Sequence, residues 1–250
     1  MWTRSELKQK GKGAFLRNYG ITVLVTLIFG ILSGELAGNS ASNGVRDVVT
    51  ESDGDIFYMA SSIWLLVLGI GLIFVLVGVL IRIFIGNLVE IGAMRFYEEN
   101  SSRKAPLGCL LYGFQQGSYG KNVLTLFLRD LFIFLWALLL VIPGIIKGYE
   151  YSMIPYILAE NPQISRERAF EISKAMMRGE KWNAFVLDLS FLGWSILSAV
   201  TAGIVGLLYS RPYQKSTWAE FYKVNREKVL RSGEASWSEL PGIDGEDVID

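Results

Sequence analysis

The chain has 250 residues, 51% of them hydrophobic and 19% charged, with 24 Lys and Arg against 24 Asp and Glu. That is too apolar and too clustered for an ordinary soluble domain, and it points to an all-α polytopic membrane protein. With no histidine and one cysteine, Cys109, the chain excludes His-based metal sites, Ser-His-Asp and Cys-His nucleophiles and an intrachain disulfide.

Residues 1–18 carry Arg4, Lys8, Lys10, Lys12 and Arg17 among Leu7, Ala14, Phe15 and Leu16. This suits a short basic helix on an anionic membrane face, or a solvated tail. The apolar run Ile21 to Ala37 follows. Its basic start and the small residues from Ala37 to Ala41 also fit a secretory signal peptide, but later spans and the small-residue face of Gly30, Gly34 and Gly38 favour a first transmembrane helix. Asn39 to Ser61 is polar and acidic, with turn signals at Asn43-Gly44 and Asp53-Gly54, and reads as an external loop. Ile63 to Ile85 is nearly unbroken apolar sequence, with Arg82 near the inner end where its head can snorkel.

Gly86 to Asn122 mixes aromatic, leucine and polar residues around a breaker at Pro106, which suggests helical pieces in the cytoplasmic interface. Val123 to Ile142 enters the membrane, Pro143-Gly144 turns, and Ile145 to Leu158 returns. At about 1.5 Å per residue the return leg reaches only about 21 Å, short of a hydrocarbon core of about 30 Å. It therefore lies against other helices in a thinned region or is re-entrant. Ser165 to Glu180 is amphipathic: Ser165 is the N-cap, Ala169, Phe170, Ile172, Met176 and Met177 form one face, and Arg166, Glu167, Glu171, Lys174 and Arg178 the other. Ala184 to Ala202 crosses, Ala202-Gly203 turns, and Ile204 to Tyr213 returns. From Arg231 onward the chain is polar and acidic and reads as a disordered tail.

All but four of the 24 Lys and Arg, namely Arg46, Arg82, Arg129 and Lys147, fall in segments 1–18, 86–122, 161–182 and 211–250. Positive-inside then places both termini in the cytoplasm and gives six membrane segments as three helical hairpins. The domain organisation is a basic segment 1–18, a transmembrane domain 19–222, and a helix end with an acidic tail 223–250.

The last two hairpins share a repeat. With an offset of 58 residues, Asp130 falls on Asp188, Trp136 on Trp194, Tyr151 on Tyr209 and Ser152 on Ser210; one deletion brings Pro155 and Tyr156 onto Pro212 and Tyr213. Both copies enter from one side, so the repeat is parallel rather than inverted. An ionisable side chain at the bilayer centre costs about 2.5–3.5 kcal/mol on insertion, so Arg129, Asp130, Lys147, Glu150, Asp188 and Arg211 need partners or water and form the candidate polar cluster. Distance from the turns pairs Glu150 with Arg211 and leaves Arg129 or Arg211 to neutralise the aspartates. Asp130 and Asp188 at equal depth would suit a catalytic aspartate pair, but repetition already explains the depth and neither lies in a Gly-x-Gly-Asp context. The two Tyr-Ser...Pro-Tyr segments read as an interfacial aromatic belt with a kink, or as a ligand site. Cys109 reads as an inert thiol. No phosphate loop, metal-ligand cluster or nucleic-acid module occurs, so no cofactor or nucleic acid is expected; the expected partners are membrane lipids and other membrane proteins.

The run FIFLWALLLVIPGIIKGYEYSMIPYILAENPQIS, followed by FEISKAMMRGEKWNAFVLDLSFLGW, resembles the bacterial integral-membrane family called domain of unknown function 975, most specifically from about Thr125 to Tyr222. The resemblance implies a six-helix protein of the cytoplasmic membrane, typical of Gram-positive bacteria, with no assigned activity, cofactor or catalytic residue. The functional expectation is a non-catalytic membrane protein that interacts with lipid or organises membrane components. A small transporter or lipid translocator using the intramembrane charges comes second, and an intramembrane hydrolase third.

Overall fold

A computed structural model describes residues 2–32, 54–115 and 117–243. Among them there is no strand. The helices are α1 (Arg4–Arg17), α2 (Tyr19–Leu32), α3 (Gly54–Ile81), α4 (Asn87–Ser102), α5 (Tyr112–Gln115), α6 (Tyr119–Leu139), α7 (Val141–Glu150), α8 (Ile154–Glu160), α9 (Arg166–Met176), α10 (Lys181–Leu189), α11 (Leu192–Val200) and α12 (Arg211–Arg231). A π-helical turn at Arg82–Gly86 joins α3 to α4, and another at Gly206–Ser210 leads into α12. Most of the expected external loop lies outside the described residues, and 54–61 open α3.

Apolar side chains lie on the outside. The stretches Leu65–Ser102, Tyr119–Leu139 and Lys181–Val200 are long and apolar enough to cross a membrane, and α1 with α2, bent by 99°, makes a fourth candidate if the pair is one span. From Leu65 to Ile81 every residue of α3 is exposed. A fold in water gains about 1.5–3 kcal/mol for each large apolar side chain it buries. From 65 to 81 α3 forgoes that gain at every position, as a helix facing hydrocarbon would, and this points to a membrane protein. The buried core lies elsewhere, among Phe15, Phe96, Tyr97, Ile154, Ile157, Phe221 and Tyr222.

The centre of that core is α4, which the sequence placed in the membrane interface. Apart from Arg95, every residue from Asn87 to Asn100 is buried, and α4 packs against α1, α2, α6, α8 and α12. Its polar residues allow this because several find partners inside the protein. Asn100 donates to the Ala14 carbonyl at 2.7 Å, the Tyr97 hydroxyl meets Thr26 at 2.6 Å, and the backbone at Gly92 approaches Leu110 so closely that a Cβ there would sit 2.3 Å from the carbonyl oxygen.

The basic N-terminal segment is a docked helix rather than a solvated tail. Thr3 caps α1 by accepting from the Glu6 amide, and Leu7, Ala14 and Phe15 are buried. At Gly11 a Cβ would stand 2.7 Å from the Thr217 Cα on α12. The amphipathic helix forms as expected: Ser165 accepts from the Arg168 amide, and Ala169, Phe170, Ile172, Met176 and Met177 are buried.

α6 packs against α7, and α11 against the π turn that leads into α12, with chain reversals that do not correspond. The first chain reversal occurs at Leu140, in extended conformation (φ −155°, ψ 134°), rather than at Pro143-Gly144. Pro143 sits in the first turn of α7, where its missing N–H leaves no bond unmade. Gly144 serves close packing, since a Cβ there would lie 2.6 Å from the Ala137 Cα. The second reversal is at Thr201–Gly203, with Ala202 (φ 50°) and Gly203 (φ 87°) in left-handed conformation, as expected. With the 58-residue offset Leu140 corresponds to Ser198, so the turns are out of step. The first return leg also stops at Glu150. At about 1.5 Å per residue α7 is only about 15 Å long, and Ile154 to Leu158 belong to the buried α8.

The acidic tail is corrected in its first half. Residues 232–243 fold back instead of being disordered: Leu240 is fully buried, Arg168 forms two hydrogen bonds to the Glu239 carboxylate at 2.6 and 3.2 Å, Asn161 donates to the Glu239 carbonyl, and Arg226 to the Leu240 carbonyl. Leu240 supplies the apolar anchor that acidic composition conceals. Residues 244–250 lie outside the described residues.

Two predictions follow from these contacts. Gly11→Ala forces α1 away from α12, at about 1–3 kcal/mol for overpacking. The expected fall in Tm is several degrees, whereas Gly13→Ala, into open space, leaves Tm unchanged or slightly higher; equal Tm values for both would refute the contact. The Arg168 hydrogen bonds hold the Glu239 carboxyl down at about 2, against about 4.3 in an unfolded chain. The clamp is therefore complete above about pH 4.3 and is lost as pH falls towards 2. Hydrogen-exchange protection across 234–240, relative to the unfolded rate at each pH, should stay high from pH 7 to 5 and fall below 4, with Glu239→Gln already poorly protected at pH 7.

Candidate functional site

The π turn at Arg82–Gly86 turns Arg82 back along α4. Its Nη1 donates to Asn87 Oδ1 at 2.8 Å and its Nη2 to Glu90 Oε2 at 3.3 Å. Glu90 is also gripped from α6: Arg129 donates to its two oxygens at 2.7 and 3.0 Å. The same guanidinium bonds its neighbour Asp130 through Nε at 2.8 Å, and Arg82 reaches Asp130 at 3.8 Å. Two arginines and two carboxylates thus form a closed, electrically neutral group. The Arg129 and Glu90 side chains are 8% and 9% exposed, so the pairing acts in a low dielectric and fixes α6 to α4.

Asp188, on α10, has a different environment. The Tyr149 hydroxyl donates to its Oδ2 at 2.9 Å; Gln214 Nε2 and Trp218 Nε1 donate to its Oδ1 at 3.0 and 2.8 Å. Tyr149 stacks on Trp218, with centroids 6.3 Å apart and planes 13° apart. All three donors are uncharged, and Asp188 makes no ion pair among the described residues. Arg211 opens α12 with a buried Nη1 that has no hydrogen-bond partner.

These groups border one cavity of about 570 Å³ lying among α4, α6, α7, α8, α10 and α12. One wall is the stripe Arg211, Gln214, Lys215 and Trp218 of α12, spaced i, i+3, i+4, i+7 on a single helix face. Another is Tyr151, Ser152, Pro155 and Tyr156, the first Tyr-Ser...Pro-Tyr segment. The second copy does not join it: Tyr209 packs on Trp194 (4.8 Å) and Phe15 (5.4 Å), and Tyr213 on Phe191 (5.1 Å).

Of the six charged residues expected to cluster, Arg129, Asp130, Asp188 and Arg211 line the cavity, while Lys147 and Glu150 do not. The expected Glu150–Arg211 pair is absent. Glu150 bonds Lys147 at 2.7 Å and also Lys181, and its backbone carbonyl accepts from Ser173 Oγ. The cause is the end of α7 at Glu150, which turns that carboxylate towards the start of α10 instead of across to α12. Sequence reasoning missed Glu90 as the partner of Arg129, although an acid within the apolar run LVEIGAM was a signal. It also missed the α12 stripe, visible as the spacing of Arg211, Gln214, Lys215 and Trp218. Burial, then the neighbouring Glu99, push the Cys109 thiol up to about 12, leaving it unreactive at neutral pH. No metal-ligating group of three or more acids or cysteines occurs among the described residues.

The described residues are all-helical, and three helices long and apolar enough to span a membrane point to a membrane protein. Residues 138–228, which run from the first hairpin turn through most of α12, match the family described as protein of unknown function (DUF975). The matched part includes Asp188 and Arg211 but not Glu90, Arg129 or Asp130. A search of curated proteins and a search of solved structures each found no match.

Arg129→Met strands Glu90 in the core beside Arg82 alone, and breaking a buried pair from one side costs about 3–5 kcal/mol. Thermal melting in detergent should show Arg129→Met strongly destabilised and Arg129→Met combined with Glu90→Leu substantially recovered. No recovery in the double variant would mean that the two charges are not coupled.

Proposed function

We propose that the chain is a non-catalytic membrane protein that interacts with lipid, receiving the polar part of a membrane-resident molecule in the cavity beside α12. The observation that carries this reading is the cavity's position along the apolar helices. Each of the three candidate spans has an exposed apolar part and a part built into the packed body, and the residues it contributes to the cavity lie at or near that junction. Glu90 stands just after exposed α3 and its π turn, Arg129 and Asp130 just before the exposed Phe134–Leu140, and Asp188 just before α11, which buries nothing. A lipid whose tails lie along these faces would bring its headgroup to the cavity. About 570 Å³ lies within the usual range for ligand sites, roughly 300–1,000 Å³.

In this reading six segments enter the membrane of a bacterial cell from the cytoplasmic side as three hairpins, with both termini cytoplasmic. The short return legs are re-entrant, descending only far enough to carry Tyr151 and Arg211 to the cavity. The last two hairpins are a parallel duplication whose copies have diverged, the first supplying cavity wall and the second packing. Engagement of Asp130 by two arginines, and of Asp188 by three donors, supports a binding role over a proton-sharing aspartate pair; the two carboxyls do not bond to each other.

Gly148 lines the cavity, and a Cβ there meets nothing within 4 Å. A side chain there starts into open space, and Gly148→Phe is the variant that narrows the cavity. Mass spectrometry of protein purified in mild detergent should find co-purifying lipid, reduced at least severalfold in Gly148→Phe at unchanged Tm. Equal lipid in both proteins would refute the cavity as the lipid site.

A further inference from the structure

We propose that the cavity is selective for a zwitterion carrying a primary ammonium and a phosphate, the chemistry of phosphoethanolamine, with the ammonium at Asp188 and the phosphate at Arg211. This rests on the lipid-binding reading above and adds the class of headgroup. Two unmatched charges of opposite sign face one cavity. Glu90, Asp130, Arg129 and Arg82 neutralise one another, but among the described residues Asp188 has only uncharged donors and Arg211 forms no ion pair, its buried Nη1 having no hydrogen-bond partner; nor do the two pair with each other across the space. A charge left alone in a low dielectric is costly, and the cost falls only when a counter-charge arrives with hydrogen bonds attached.

The unused bonding capacity specifies the ligand further. A carboxylate offers about four acceptor positions, and Asp188 uses three, leaving room for an N–H donor. The guanidinium of Arg211 supplies charged N–H groups of the kind that meet phosphate oxygens. Trp218, which lines the cavity beside Asp188, gives an ammonium an aromatic ring as well as a carboxylate. A purely anionic headgroup would satisfy Arg211 and leave Asp188 unmatched. A quaternary ammonium would bring charge but no N–H. Only a primary ammonium joined to a phosphate answers both ends.

The test uses the full-length protein, delipidated in detergent and titrated with phosphatidylethanolamine, phosphatidylglycerol or phosphatidylcholine, with bound lipid read by native mass spectrometry. Wild-type protein should retain phosphatidylethanolamine about tenfold over phosphatidylglycerol and severalfold over phosphatidylcholine, a comparison that needs no variant. Asp188→Asn should remove the preference over phosphatidylglycerol while keeping phosphatidylglycerol bound, and Arg211→Gln should weaken all three. Equal retention of the three lipids by wild type overturns the zwitterion inference and leaves lipid binding standing; retention of none overturns both. O-phosphoethanolamine, against glycerol phosphate as the anion-only control, separates the sources. Saturation by O-phosphoethanolamine at lower concentration than by the lipid assigns the free molecule and the reverse order assigns the lipid, both in keeping with the proposal, whereas equal binding of glycerol phosphate overturns it.

Discussion

Glu90 sits on a helix surrounded by protein, and that helix stays buried because Arg129 and Arg82 reach the carboxylate from two directions. Burying Glu90 in α4 requires a counter-charge nearby, since a lone carboxylate there would cost more than the surrounding apolar contacts return. The match comes from α6 and from the π turn that rotates Arg82 onto α4. With α4 held in this way, α1, α8 and α12 gain a common surface to pack on, and the aromatic core of Phe96, Tyr97, Phe221 and Tyr222 closes around it.

The same constraint divides the molecule. Residues 65–81 of α3, the end of α6 and most of α11 expose their apolar side chains, while the mixed helices α1, α4, α8, α9 and α12 form the packed body. The packed body thus holds buried polar groups such as Glu90, Asn100, Arg129 and Glu160 beside its aromatic core, while residues 65–81 of the longest apolar helix are all exposed. Where the two regimes meet, the ion group of α4 and α6 borders a cavity instead of closing it, and α12 brings four residues of one face to the opposite side. α12 has a double role, since Gly11 of α1 packs on its Thr217 while Arg211, Gln214, Lys215 and Trp218 look the other way.

Residues that correspond between the two similar stretches of sequence do not share their surroundings. Asp130 and Asp188 correspond in sequence, yet one is ion-paired and the other is held by uncharged donors, because the residue before Asp130 is an arginine and the residue before Asp188 is Leu187. Likewise Tyr151 and Ser152 border the cavity whereas Tyr209 sits against Trp194 and Phe15. A turn displaced by about one helical turn is enough to rotate equivalent side chains into different surroundings.

By itself the amino-acid sequence determined the helical class, the apolar stretches, the amphipathic face of α9 with its Ser165 cap, and the turn at Ala202-Gly203. Each is a local property, set by periodicity, capping chemistry or the φ that glycine permits. It also singled out four of the cavity's charged residues, because charge within an apolar run is conspicuous without any structure. Only the tertiary structure decided that Glu150 turns to Lys147 and Lys181 and not to Arg211, that residues 232–243 are anchored by Leu240, and that α4 is the centre and not an interfacial helix. Those outcomes depend on which side chains meet across tens of residues, and a buried charge takes whichever counter-charge the packing brings within reach.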